Sequence, residues 1–230
     1  MTDLEKQLRK ILAERLLILD GAMGTMIQAN KLDEKAFRGA RFADHSHDHK
    51  GCNDVLCITQ PDLITQIHAQ YLEARADIVE TNTFNSTSIS MLDYKLEPYA
   101  YDLNLAGAKA AKRAVELVTL KDPSRTCFVA GAIGPTNRTC SISTDVQSAA
   151  TRGVTYEELV EAYYEQARGL IDGGADLLLV ETIFDTLNSK AAFFAILKLF
   201  DERNIQLPLM ASVTFIQPGS NRGVTGQTVE

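Results

Sequence analysis

Five apolar runs constrain this chain more than any other feature: LLILDGA (16–22), ADIVETNTF (76–84), CFVAGAIGP (127–135), ADLLLVETI (175–183) and PLMASVTF (208–215). None alternates apolar with polar residues. A strand with one face in water does alternate, so these runs suit strands covered on both faces, as in a parallel sheet. Parallel strands need long crossovers, and helical patterns fill the gaps between the runs. PDLITQIHAQYLEAR (61–75) opens with proline, which suits a first helical turn. Residues 103–118 are rich in alanine, and 185–200 form a further helical pattern. Residues 155–171 begin Thr-Tyr-Glu-Glu, with Glu158 at the capping-box distance from Thr155. Ahead of the first run, residues 3–15 predict an amphipathic helix with Leu4, Leu8, Ile11 and Leu12 on one stripe. The alternation over the whole chain predicts an α/β fold with right-handed crossovers.

Two helix-to-strand joints look alike, YLEARADIVETNTF and LIDGGADLLLVETIF. Each has a helix end, then Ala-Asp, apolar residues and Glu-Thr, as expected of a repeated β/α unit. Gly173-Gly174 suits a left-handed helix end in the second joint. Arg75 holds nearly the same place in the first, and a positive φ there costs roughly 1 kcal/mol.

Composition narrows the function. The formal net charge of −7 argues against nucleic acid as a partner, because phosphate binding needs basic surface. No run approaches the roughly 20 apolar residues of a membrane helix, and the charged N-terminus has no apolar signal core, so a cytoplasmic protein is expected. Cys52, Cys57, Cys127 and Cys140 are too few for a disulfide scaffold, and Cys127, opening an apolar run, reads as a small buried residue.

Polar residues gather at the ends of the runs: Asp20, then Glu80-Thr81-Asn82, then Gly134-Pro135-Thr136-Asn137, then Glu181-Thr182. In an α/β barrel the loops after the strands build the active face, so repeated carboxylate and amide endings point to one shared pocket. Helix capping is the plainer explanation, but Asp20 and Glu181 lie too close to their strands for it. The turn Gly21-Ala22-Met23-Gly24-Thr25 lacks the glycine spacing of a dinucleotide fingerprint. Its backbone N–H groups still suit a small carboxylate, while Asp20 and Glu181 offer negative charge to an ammonium. Together they suit the two ends of an α-amino acid. Two alternatives remain: a metal-dependent hydrolase or aldolase barrel, with Asp20, Glu80 and Glu181 on a hard cation, and a non-enzymatic amino-acid-binding scaffold.

Two long connections, 30–60 and 134–154, follow strands and are expected to be functional loops. The first carries His45, His47, His49, Cys52 and Cys57 at spacings that fit no zinc motif, and reads as a solvated loop. His68, inside a helical pattern, reads as structural.

LDGAMGTMIQ, FRGARFADH, KGCNDVLCITQPDLI, ADIVETNTFNSTSISMLDY, GAIGPTNRT and GADLLLVETIFDTLNSKAA occur in one order. Together they resemble the N-terminal homocysteine-binding module of cobalamin-dependent methionine synthases, within the wider homocysteine S-methyltransferase family. The resemblance implies a TIM-type (β/α)8 barrel that transfers a methyl group from methylcobalamin to a zinc-held homocysteine thiolate. It implies Asp20 and Glu181 on the substrate ammonium, the amides near Gly21 and Ala22 on its carboxylate, and Thr81, Asn82 and Asn85 lining the pocket. The family's zinc ligands are one cysteine after strand six and an adjacent pair after strand eight, and none of the four cysteines here matches them. The chain is therefore expected to be the first five β/α units of a barrel, with 1–14 as N-terminal helix and 15–230 as strands one to five. Zinc, methylcobalamin and the folate- and cobalamin-binding modules would then belong to the full-length parent, and the segment alone would be inactive and prone to associate through its open sheet edges.

Overall fold

The computed structural model describes residues 3–145, 148–215, 219, 221–223 and 226–228. The helices are α1 (Asp3–Glu14), α2 (Met23–Ala29), α3 (Glu34–Arg38), α4 (Leu56–Thr59), α5 (Pro61–Glu73), α6 (Ser88–Met91), α7 (Ala100–Lys121), α8 (Tyr156–Asp172) and α9 (Thr186–Arg203). The strands are β1 (Ile78–Glu80), β2 (Phe128–Ile133), β3 (Ser143–Asp145), β4 (Ser148–Arg152), β5 (Leu177–Ile183) and β6 (Leu209–Val213). β1, β2, β5 and β6 form a parallel sheet in that order, and β3 and β4 form a separate antiparallel pair. The result is an α/β fold in which neighbouring strands follow one another in sequence.

The first apolar run is shorter as a strand than expected. Instead of spanning 16–22, it makes one parallel bridge, Leu19 to Ile78. The Ile18 carbonyl accepts from Asp77 and Ile78, and the Asp20 N–H donates to the Ile78 carbonyl. Arg15 fixes the entry by a two-pronged contact with the Asp77 carboxylate at 2.7 and 2.8 Å, and Asp77 accepts from the Ile18 N–H at 2.9 Å. The chain then leaves the sheet at Gly21-Ala22 to begin α2, which caps the length available for pairing.

The sheet's two faces have different partners. Val79 and Val129 pack on Leu72, Ala111, Ala114 and Val118 of α5 and α7. Leu178 and Val180 pack on Leu170, Ala191, Ala195 and Leu199 of α8 and α9. On the other face Ile78, Phe128, Ala130, Leu177 and Leu179 form a layer that Leu4, Leu8 and Ile11 of α1 close from one end. Burying each such side chain is worth about 1.5–3 kcal/mol. Leu12 is half exposed, so the expected stripe on α1 narrows to the other three. Apolar side chains remain uncovered at both sheet edges, Leu16 and Ile18 beside β1 and Val213 on β6.

Residues 30–60 are not a solvated loop. Phe37, Phe42, His49, Cys52, Val55, Leu56 and Cys57 are all buried. Asp33 caps α3 by accepting from the Ala36 N–H at 2.8 Å. The Glu34 carboxylate accepts from the His49 and Lys50 N–H groups and from Arg38 Nε, tying both ends of the segment to one side chain. The 134–154 connection is likewise structured, since it contains β3 and β4.

Candidate active site

Asp20, Glu80 and Glu181 meet on the face of the sheet opposite α7 and α8. Alternation places Glu80 on the side of Ile78, and Glu181 on the side of Leu177 and Leu179. Asp20 joins them because its Oδ1 accepts from the Glu80 N–H at 3.1 Å. The Asp20 side chain is 3% exposed, and Glu80 and Glu181 are half-buried. At Glu181 the strand departs from regular geometry. The register with β6 shifts between Val180 and Ile183, and Thr182 has φ of 54°. A β-branched residue in the left-handed region is a strained exception.

Burial pushes the Asp20 carboxyl up to about 7; the Glu80 N–H opposes this, and the charges of Glu80 and Glu181 add to it. Glu181 is likewise pushed up to about 7, by burial and then by the Glu80 charge. Burial raises Glu80 as well. Among the described residues no lysine or arginine pairs with any of the three. Three acids raised by burial, two of them raised further by the Glu80 charge, form a site suited to a cationic group.

Next to them, Gly21 and Ala22 form an open turn. Their amide hydrogens have no acceptor among the described residues. Tyr71 of α5 supports the turn from behind, donating its hydroxyl to the Ala22 carbonyl at 3.3 Å. A Cβ at position 21 would meet the Tyr71 ring at 3.4 Å, an ordinary van der Waals contact, so the ring packs directly against the turn. His68, one turn earlier on α5, is fully buried with Nδ1 3.9 Å from Asp20 Oδ2. In the sequence His68 reads as structural and Tyr71 carries no assigned role. The only sequence signal for both is their three-residue spacing on one helix face.

The remaining predicted pocket residues are committed elsewhere. The Thr81 hydroxyl accepts from the Ala132 N–H at 2.9 Å and lies 2.6 Å from the Thr83 hydroxyl, closing β1 onto β2. Asn82 Nδ2 donates to the Asn53 carbonyl at 2.8 Å. The Asn85 N–H donates to Asp54, and its side chain lines a separate cavity of about 210 Å³ with Cys52, Asp54, Ser90 and Asn137. The structure thus brings together Asp20, Gly21, Ala22 and Glu181 with Glu80, while Thr81, Asn82 and Asn85 make the hydrogen bonds described above to neighbouring strands and loops.

The four thiols do not fit a zinc site. All are free and buried, and burial raises every one of them, Cys52 to about 12. A zinc ligand must be a thiolate, so these environments oppose metal binding. Among the described residues no three histidine, cysteine or acidic side chains stand close enough to hold a metal ion. That also counts against a hard-cation centre at Asp20, Glu80 and Glu181. No described helix is long and apolar enough to cross a membrane.

Residues 17–230 match the model of a family described as Homocysteine S-methyltransferase. Crystal structures of the homocysteine methyltransferase MmuM from Escherichia coli share the fold. The oxidized form aligns with a TM-score of 0.70 and 22% identity, over 96% of this chain and 70% of that one. The metallated form gives the same values. The apo form gives a TM-score of 0.67 at 21% identity, over 96% and 68%.

Proposed function

We propose, from the premise that this chain belongs to the homocysteine S-methyltransferase family, that its acidic cluster and the adjoining turn hold homocysteine by its two charged ends. Asp20 and Glu181 take the ammonium, with Glu80 adding negative charge beside them. The free amides of Gly21 and Ala22 take the carboxylate. Held at both ends, the amino acid projects its thiol from a fixed origin, and orientation of this kind supplies a large part of the rate in a transfer reaction. The observation that carries the proposal is the meeting of three carboxylates raised by burial, unpaired by lysine or arginine among the described residues, beside an open backbone turn.

The reaction is methyl transfer to the homocysteine sulfur, giving methionine. A thiol has a pKa of about 8.5 and must lose its proton to attack a methyl group. We assign the parent protein to the methionine synthases and the sheet to a (β/α)8 barrel, on the ordered motifs from LDGAMGTMIQ to GADLLLVETIFDTLNSKAA. In this reading zinc, methylcobalamin and the folate- and cobalamin-binding modules belong to other parts of that parent, since the cysteines described here do not suit a metal.

Calorimetric titration with L-homocysteine under reducing conditions tests the site. Asp20→Asn and Glu181→Gln should each weaken binding tenfold or more, about 1.4 kcal/mol. Unchanged amino-acid affinity in both variants overturns the assignment, and loss of Mg²⁺ affinity instead supports a cation site.

A further inference from the structure

His68 is fully buried at this site and, among the described residues, makes no hydrogen bond. It has no exposed surface, and neither Nδ1 nor Nε2 has a hydrogen-bond partner among the described residues. Buried polar atoms without partners are rare and demand a reason. The ring is not randomly placed, because Nδ1 faces Asp20 Oδ2 at 3.9 Å. The other oxygen, Oδ1, is already engaged by the Glu80 N–H. One turn along α5, Tyr71 holds the Ala22 carbonyl and abuts Gly21. A single face of α5 therefore backs the whole Asp20-Gly21-Ala22 turn, with contact made at one end and a donor held just out of range at the other.

We propose that His68 is a positioning residue for amino-acid binding: its Nδ1–H donates to Oδ2 of Asp20 when an ammonium group enters, holding that carboxylate ionised and aimed at the nitrogen. This rests on the assignment of Asp20 to the substrate ammonium. At 3.9 Å no hydrogen bond exists. The terminal torsion of an aspartate is soft, and closing the gap needs a shift of about 1 Å. Below the midpoint of Asp20 the charges make the bond wait for the ligand. Asp20 faces Glu80 from β1, Glu181 from β5 and His68 from α5. In the free site, burial and the two acids favour its protonated form, which gains little from a donor. An arriving ammonium favours the ionised form, which releases its proton to solvent and can accept from His68. Burial holds the imidazole near 4, so it stays neutral and retains one N–H to give.

The test uses the protein with ¹⁵N-histidine and ¹³C-aspartate labels, titrated by NMR and calorimetry with L-homocysteine. In the unsubstituted protein, saturation should move His68 into a hydrogen-bonded Nδ1–H tautomer. His68→Phe should raise the midpoint of Asp20 by about one pH unit in the free site as well as the bound one, weakening binding about tenfold at pH 6, where the free carboxyl must give up its proton to bind, and little at pH 8, where it is already ionised. His68→Gln, which keeps an N–H donor, should recover most of the loss. A purely structural role would instead weaken binding equally at both pH values. Binding with an unmoved pH profile in His68→Phe, or an Nε2–H tautomer in the bound unsubstituted protein, overturns this inference alone. Absence of homocysteine binding by the unsubstituted protein overturns the site assignment together with it. The tautomer measurement stands even where His68→Phe fails to fold.

Discussion

Thr182 shows how a single residue's backbone serves the site. Its φ of 54° follows directly on Glu181 and lies within the register shift of β5 against β6. A left-handed L-residue costs about 1–2 kcal/mol, and strain retained next to a candidate ligand-binding carboxylate suggests that it aims the side chain. Thr182→Gly should therefore raise the urea midpoint by an amount equivalent to about 1 kcal/mol and weaken homocysteine binding severalfold. A variant that is both less stable and equally tight in binding would show that the threonine side chain, and not the angle, matters there. Residue-level strain was partly legible in advance. The two similar joints predicted a left-handed residue in each, and Arg75 at 82° and Gly174 at 94° occupy matching places. The Ala76 N–H reaches back to the Tyr71 carbonyl as the Ala175 N–H reaches back to Leu170. Thr182 was not legible, because nothing in Glu-Thr-Ile marks a bulge that arises from pairing with β6.

Elements with local signals were found and elements without them were missed. The α8 capping box is present as read: the Thr155 hydroxyl accepts from the Glu158 N–H at 3.2 Å, and Glu158 accepts from the Thr155 N–H at 2.8 Å. Its hydrogen bonds lower the Glu158 carboxyl pKa. Thr155→Ala should cost about 1 kcal/mol in a thermal melt without altering amino-acid affinity, since the cap is remote from the acidic cluster. An equal Tm for the variant would show that the cap adds nothing to stability. The segment 30–60 offered no such signal. Its buried residues follow neither helical nor strand spacing, and its ends are tied by Glu34, which accepts from Arg38 on its own helix and from the distant His49 and Lys50 N–H groups. Some motif residues carried by the family resemblance prove to hold the framework. Asn188 of α9 donates to Thr136 and to the Arg138 carbonyl and accepts from the Cys140 N–H, so DTLNSKAA anchors the GPTNRT loop. Asp185 caps α9 and binds Ser141.

At the scale of the whole molecule, parallel topology explains why the acids were legible and their support was not. Parallel strands all finish on one edge, so carboxylates at several strand ends converge whatever the loops do. The direction in which α5 presents His68 and Tyr71 depends on how that helix rolls against the sheet and α7, which no local pattern encodes. The convergence also shapes stability across pH. Asp20 and Glu181 titrate near 7 in the fold but near 4 when unfolded, so the folded state binds more protons between those values. Their contribution therefore grows as pH falls from 8 toward 5. His68 acts oppositely: it titrates near 4 when folded and 6.5 when free, so stability is lost as pH falls below 6.5. Burial likewise lowers His49. Between pH 8 and 6 two acids outweigh the histidines. With Glu181 discounted for its partial exposure, the ligand-free protein should gain about 1–2 kcal/mol over that range. Urea titrations at several pH values measure this slope, and Asp20→Asn should remove most of it. Saturating homocysteine should flatten or reverse the trend, because its ammonium stabilises the ionised carboxylates that the empty site disfavours. A ligand-free protein whose stability instead falls from pH 8 to pH 6 would mean that Asp20 and Glu181 are held ionised by some compensating charge, and the account of the site as a cation trap would fail with it.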